Sequence, residues 1–492
     1  MAQMLIILPH DFDIEIETIE KNNQNPSKST QRNPSYESGP PDGHFNEHPV
    51  FHQDYKEGFH SNSHCIGENF NKDAWKFRSC HFQNLCFDTE DNVFVLFTSP
   101  EQKKLDQALS HSKWDLFWPA TSMHTTVSVG GLNPKWGKEH EDLEWYPALR
   151  SVEDLKSQGG HYVMEHNKIL VPWHSMGGFN PGHLVWDDFL PLFTLLSIFD
   201  LTEKNLVLIR YDLHSFAMRA SCQSQWAKCA PMVKKFLPLL GTELGRTSTQ
   251  NDTQLQITAG SKKSKYVCAP NGAAGLGMLT DHGTKLHGWE KKDYKYAYNV
   301  GRGGSMYQFR NWMVDNLIGE ENVPRKTIRN PPYRIVFSNA SSKLSTRSVS
   351  FHNHAELLKK RLGGKYALDV REVKLSNMSI DDQVKLTAQT SIFITMCGGG
   401  AVSAMFLPKG GSVVAFFNDR LPDGSIYGDT PPRLDWDLLN HIGYLRVHWL
   451  PNRRDSFTKY GEPKDLQSEA DLDAFVSLID HELDLISHSS EY

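Results

Sequence analysis

The stretch S-I-F-I-T-M-C-G-G-G-A-V-S-A-M-F-L-P-K-G-G-S-V-V-A-F-F, residues 391–417, decides the fold class. Residues 391–396 form a short apolar run rich in β-branched side chains, as in a buried strand. Gly398, Gly399 and Gly400 then let the backbone turn sharply and approach a ligand closely. Residues 402–406 suit a short helix, Lys409-Gly410-Gly411 ends it, and residues 412–417 make a second buried strand. A glycine turn that opens a helix after a buried strand is a site for phosphate.

The alternation continues outward from this unit. Residues 333–338 and 367–375 read as strands, and 353–362 and 380–390 as helices, which implies parallel βαβ units. The upstream half is less regular. Strands are expected at 92–98, 205–213 and 265–269, and helices at 188–199, 224–240 and 306–317. Pro324, Pro331 and Pro332 bracket the best interdomain linker. Residues 14–72 are polar and aliphatic-poor, which predicts disorder. The histidines at 44, 48, 52, 60 and 64 read as part of a solvated tail, because Pro41, Pro49 and the glycines forbid a continuous helix there. The expected divisions are a disordered segment at 1–73, one α/β domain at 74–330, a second at 331–470, and a partly helical tail at 471–492.

A second stretch, G-H-L-V-W-D-D-F-L-P-L-F at 182–193, gathers His183, Asp187 and Asp188. A carboxylate beside an imidazole raises its basicity and fixes its tautomer, so this cluster is a natural source of a general base. A helix that starts here would make Asp187 or Asp188 an N-cap, the competing reading for one of the two. His183 sits one turn before Asp187 only if the helix begins early, and Pro181-Gly182 favours that start.

The chain has 492 residues, 39% of them hydrophobic, enough for two α/β domains with substantial cores. The formal net charge of −6 argues against a nucleic-acid-binding surface. Seven cysteines are too few for a disulfide scaffold. Cys80 and Cys86 suit a local bridge, Cys222, Cys229 and Cys268 can supply a second pair, and Cys397 is the expected free thiol. The D-W-D at 435–437 reads as a helix start, not as a metal site. The G-R-G-G at 301–304 lacks a preceding strand and a lysine, so it is not a P-loop. It reads as a loop at the cleft.

These stretches resemble glycosyltransferase family 61. Its usual pattern is a strand, His-Gly-Ala, a short helix ending in Phe-x-Pro, and a strand. Here Cys397-Gly398-Gly399 stands where His-Gly-Ala is usual, and Phe406-Leu407-Pro408 follows at the usual spacing. His183, Asp187 and Asp188 resemble the His-x-x-x-Asp-Asp segment of the family's O-mannose N-acetylglucosaminyltransferases. C-H-F-Q-N-L-C-F at 80–87 and C-A-P-N-G-A-A-G-L-G at 268–277 also resemble the family. The resemblance covers roughly residues 75–455 and implies a GT-B-like α/β fold. Two Rossmann-like domains would then face a cleft, with an acceptor domain at 74–330 and a nucleotide-sugar domain at 331–470.

The implied activity is inverting transfer of a sugar, N-acetylglucosaminyl, xylosyl or arabinosyl, from a UDP-sugar to a glycan or glycoprotein. His183, Asp187 and Asp188 are the catalytic candidates. Ser338, Arg347, Cys397, Gly398, Gly399 and Gly400 are the nucleotide-sugar candidates, with Arg347 offering a bidentate diphosphate contact. No metal ligand and no cofactor is expected beyond the nucleotide-sugar co-substrate, although a divalent metal is compatible with the chemistry. The chain departs from the family pattern at three positions. Cys397 replaces a histidine, Asn339 replaces an arginine after Ser338, and Ala415 stands where a glutamate is common. These motivate the alternative of a catalytically inactive glycan- or nucleotide-binding relative. The resemblance also implies the lumen of the Golgi or endoplasmic reticulum. The opening M-A-Q-M-L-I-I-L-P-H is too short for a signal core, and no apolar run has the length of a membrane span.

Overall fold

The computed structural model describes residues 52–53, 58–67, 78–99, 125–129, 144–157, 161–163, 166–173, 175, 178–203, 205–210, 222, 226–242, 244–245, 265–275, 277, 303–319, 324–339, 350–418, 439, 442–452 and 469–488. Arg347, Gly301, Arg302 and the D-W-D string lie outside them.

The C-terminal sheet follows the expected alternation closely. Its five strands lie in the order Leu368–Val373, Tyr333–Ser338, Ile392–Met396, Ser412–Asn418 and Arg446–Asn452. All neighbours are parallel. Numbered along the chain this is 2-1-3-4-5, a doubly wound order whose direction reverses between the Tyr333–Ser338 and Ile392–Met396 strands. Parallel strands buried on both faces need no polar alternation, so Ile392–Met396 is apolar at nearly every position and wholly buried. Helix Ile380–Ala388 is capped by Ser379, whose side chain accepts from Asp382 N, with Asp381 and Asp382 in its first turn.

The N-terminal sheet differs from the Rossmann-like expectation, because it is mixed. Its central path runs Leu244–Gly245, Asn205–Arg210, Lys168–Trp173, Tyr266–Gly275, Arg78–Asp88, Val93–Thr98, Ala148–Ser151. The first four are mutually parallel, but Arg78–Asp88 is antiparallel to both its neighbours on this path. A tight turn at 89–92, with Asn92 at φ 55°, joins Arg78–Asp88 to Val93–Thr98. So short a connection can only return the chain antiparallel. Tyr266–Gly275 runs on past the expected end at 269, through Pro270 and two glycines, because it pairs along its length with Arg78–Asp88.

The segment expected to be disordered up to residue 73 is structured near its end. Asn62–Gly67 pairs antiparallel with Arg78–Asp88, and Cys65 is bridged to Cys80 directly opposite. The other bridges are Cys86–Cys268, also register partners, and Cys222–Cys229. A Cys80–Cys86 bridge is impossible on one extended strand, where six residues span about 20 Å. Cys397 is buried and forms no disulfide, as expected.

One hydrophobic core runs between the sheets. It takes Ile169, Val171, Leu206, Leu208 and Ala273 from the N-terminal sheet and Val336, Phe393 and Val413 from the C-terminal one. The layer between them is helical and includes 226–236, 303–318, 380–388 and the two signature stretches. The opposite face of the C-terminal sheet is covered by His352–Leu362 and Glu469–His488. Pro49 to Tyr492 forms one compact unit. No helix among the described residues is long and apolar enough to cross a membrane.

Candidate active site

The 182–193 stretch is helical from earlier than its apolar pattern suggests. Asn180 is the N-cap, its Oδ1 accepting from Gly182 N at 3.0 Å, and Pro181 takes the first helical position, where a missing N–H costs nothing. The helix passes from Pro181–His183 through a π-helical turn, Leu184–Phe189, into Leu190–Ile198. Pro191 accounts for the widened turn. Its ring would strike the Asp187 carbonyl in a regular α-helix, and the chain instead closes a bond from Leu190 N to Val185 O. Neither aspartate caps this helix.

The early start brings His183 and Asp187 together. Nδ1 of His183 lies 2.6 Å from Oδ2 of Asp187, with both side chains buried. A proton held on Nδ1 by the carboxylate leaves the basic lone pair on Nε2. Asp188 is elsewhere, since consecutive helical residues point about 100° apart. Its Oδ2 accepts from Ser175 Oγ at 2.5 Å, and that hydroxyl also lies 3.6 Å from Sγ of Cys222 in the Cys222–Cys229 bridge. Asp188 therefore anchors the chain before the helix through Ser175.

The 391–417 stretch forms strand, turn, 3-10 helix and strand, the helix being Gly399–Phe406. Gly398 has φ 145°, a conformation that side chains rarely adopt. Gly399 is glycine for a different reason: a β-carbon there would stand 2.1 Å from Oδ1 of Asn180. One on Gly182 would stand 3.2 Å from the Gly399 Cα. The beginnings of the two signature helices thus meet backbone to backbone, and Gly182 adjoins His183. Of the three glycines in the turn, Gly400 alone is partly exposed. Gly277, which closes the 268–277 stretch, is pressed onto Pro191 in the same way, with a β-carbon position 2.0 Å from the Pro191 oxygen.

The remaining candidates lie at the carboxyl end of the C-terminal sheet. Ser338 ends its strand beside Thr395, at the point where strand order reverses. It is wholly buried, and its Oγ has no hydrogen-bond partner. A buried hydroxyl left unpaired is costly. Cys397 is 3% exposed, and its N–H donates to Phe416 O. Asn339 is engaged locally: Oδ1 accepts from Phe351 N and Nδ2 donates to Glu372. Ala415 is buried mid-strand. Among the described residues no group of three His, Cys, Asp or Glu could hold a metal.

Three residues that the sequence reading missed tie the site together: Asn180, Ser175 and Arg310. The N-P-G at 180–182 is a recognisable cap, but Ser175 and Arg310 carry no local signal. Arg310 is wholly buried on helix Gly303–Ile318, which begins at the second half of the G-R-G-G string. It donates to Phe406 O at 3.0 Å, Pro324 O at 3.4 Å and Asn311 Oδ1 at 2.8 Å. Desolvation lowers its pKa, and the negative end of the Gly399–Phe406 helix favours its charge. Tyr444, its phenol pKa raised by burial, donates to the neighbouring Met405 O. The same 303–318 helix lays Phe309 and Trp312 against Phe193, at 5.4 and 5.3 Å between ring centroids.

The Glycosyltransferase 61 family model matches residues 182–414, from the first signature glycine to the last sheet strand but one. Over that span the chain is similar to glycosyltransferase family 61, as the resemblance implied. It is similar to the protein O-linked-mannose beta-1,4-N-acetylglucosaminyltransferase 2 of Homo sapiens, 25% identical over 357 residues, and of Xenopus tropicalis, 22% over 368. Each match covers 69% of this chain and 50% of the relative, so the chain spans about half the length of the curated relatives it matches. Among solved structures it is similar to the bacterial iron-containing dodecameric glycosyltransferase TibC from enterotoxigenic E. coli. That match is 11% identical, covers 65% of this chain and 78% of that one, and has a TM-score of 0.27, too low to carry an argument.

Proposed function

We propose that this protein is an inverting glycosyltransferase that moves a sugar from a UDP-sugar to a glycan or glycoprotein acceptor. The observation that carries the reading is the contact of the two signature helices. It sets the buried His183–Asp187 pair one residue from the glycine turn at the carboxyl end of a doubly wound sheet. Ligands in such sheets bind where strand order reverses. Ser338, with its unpaired Oγ, and the turn from Cys397 to Gly400 lie there. We assign the donor diphosphate to this end, held by backbone N–H groups of the turn, Ser338 and Arg347.

In this mechanism the acceptor hydroxyl attacks the anomeric carbon opposite the diphosphate. Its proton passes to Nε2 of His183, and Asp187 stabilises the imidazolium that forms. The C–O bond to the diphosphate breaks with its electron pair going to phosphate oxygen, where the turn's N–H groups meet the developing charge. The chemistry needs no cofactor besides the nucleotide sugar. The two sheets would serve as acceptor and donor halves of a GT-B arrangement. Three disulfides among the described residues support a lumenal location in the secretory pathway. N-acetylglucosamine is the first sugar to test, on the relatives' names, ahead of xylose and arabinose.

Calorimetric titration with UDP, alongside hydrolysis assays on UDP-GlcNAc, UDP-xylose and UDP-arabinose, tests the reading. Binding with turnover of one sugar is expected, and absence of UDP binding would overturn it. Two observations favour a second reading, that of an inactive relative. Cys397 is buried where the family pattern has histidine, and Asn339 is engaged within the protein where the pattern has arginine. Binding without turnover would select it.

A further inference from the structure

We propose that Phe179 is the platform on which the acceptor's sugar ring stacks. The proposal rests on the transfer reading for its biological sense, but its observations are separate. Phe179 is 46% exposed, while every other described phenylalanine and every described tryptophan is buried or partly buried. A lone exposed aromatic is ordinary on a protein surface. This one is distinguished by its place and by its rigidity.

Its place is next to the candidate site along the chain. Asn180 follows it, caps the signature helix and covers Gly399. Gly182, three residues on, abuts the Gly399 backbone, and His183 comes next. Phe179 therefore lies on the segment that leads into the helix carrying His183, one position from the residue that covers Gly399.

Its rigidity comes from both neighbours. A β-carbon on Gly178 would stand 2.6 Å from Ser175 Oγ and 2.7 Å from Val233 Cγ2, so the backbone there is packed onto the floor formed by Ser175, Val233 and Cys222. On the other side Asn180 is fixed by its capping bond to Gly182 N. An aromatic held this way is presented to ligand with little ordering left to do, which favours binding. The face of the ring is electron-rich and apolar. It complements the C–H face of a pyranose, whose hydroxyls stay free to reach solvent or Nε2 of His183. A neutral sugar is the class this surface takes.

The test measures binding without requiring turnover. Methyl α-mannoside, methyl β-N-acetylglucosaminide and methyl β-xyloside are titrated into the wild-type protein, Phe179→Ala and Phe179→Trp, followed by saturation-transfer NMR. UDP is titrated in parallel by calorimetry. At least one glycoside should bind wild type, bind Phe179→Ala about fivefold more weakly or worse, and recover with Phe179→Trp. UDP affinity and melting temperature should stay unchanged. Equal glycoside binding by wild type and Phe179→Ala overturns the proposal, and so does a wild type that binds none of the three. A loss of UDP affinity in Phe179→Ala also overturns it, by assigning the ring to the donor's base. If UDP neither binds nor turns over while glycoside binding still depends on Phe179, the transfer reading falls and the platform stands.

Discussion

Gly182 and Gly399, 217 positions apart in sequence, touch: a β-carbon on Gly182 would lie 3.2 Å from the Gly399 Cα. Each belongs to the first turn of its helix, so the two positive helix ends lie close together. The contact brings two short motifs from distant parts of the chain side by side.

Gly399→Ala should destabilise the protein by about 1–3 kcal/mol, because its methyl group would overlap Oδ1 of Asn180. Asn180→Ala alone should cost about 1 kcal/mol through the lost cap. The double variant should be less destabilised than the sum, since removing the Asn180 amide makes room for the methyl. Denaturant melts of the four proteins test this, and strict additivity would show that the two residues do not press on one another.

Asp187→Asn keeps the size of the side chain and removes the carboxylate that pairs with His183. Turnover should fall by about 10²-fold or more if the pair is the general base. UDP affinity should be retained. Full activity in this variant would remove the base from the pair. Asp188→Asn should act differently, lowering stability through its bond to Ser175.

Cys397→His tests the most visible departure from the family pattern. The thiol is 3% exposed, so an imidazole should overfill the position and cost about 1–3 kcal/mol, with no gain in turnover. A rise in turnover at unchanged melting temperature would show that the turn has room for a charged donor and that the present chain lacks one.

Glu482 sets an acid limit on the docking of the last helix. Burial works to raise its pKa, but hydrogen bonds from His448, Ser412 and Arg446 prevail and hold it down to about 2, from an ordinary 4.5. Because the folded-state value is depressed, its stabilisation is complete above pH 4.5 and is lost as pH falls towards 2. The full effect is about 3 kcal/mol. Glu482→Gln should be less stable at neutral pH and show a flatter stability profile between pH 4.5 and 2. An unchanged profile would mean the cluster contributes nothing.

The C-terminal half was legible because its central parallel strands, Tyr333–Ser338, Ile392–Met396 and Ser412–Asn418, are buried on both faces and write themselves as apolar runs. The N-terminal half was not. Tyr266–Gly275 contains a proline and two glycines and is held as a strand by its pairing along Arg78–Asp88. The Cys86–Cys268 partners followed from that register and not from spacing. The His183–Asp187 pair was readable at i,i+4 once Pro181-Gly182 was taken as a helix start. The separate fate of Asp188 was not, because Ser175 reaches it from a loop with no periodicity.

Helix Gly303–Ile318 grips one signature helix through Phe309 and Trp312, and the end of the other through Arg310. Mechanically this is a splint. The helices that carry the His183–Asp187 pair and the glycine turn are held together by it as a single cassette, and a hinge between them would have to break the bonds of a wholly buried guanidinium. An opening that admits substrate is therefore easier at the periphery of that cassette than between His183 and Gly399.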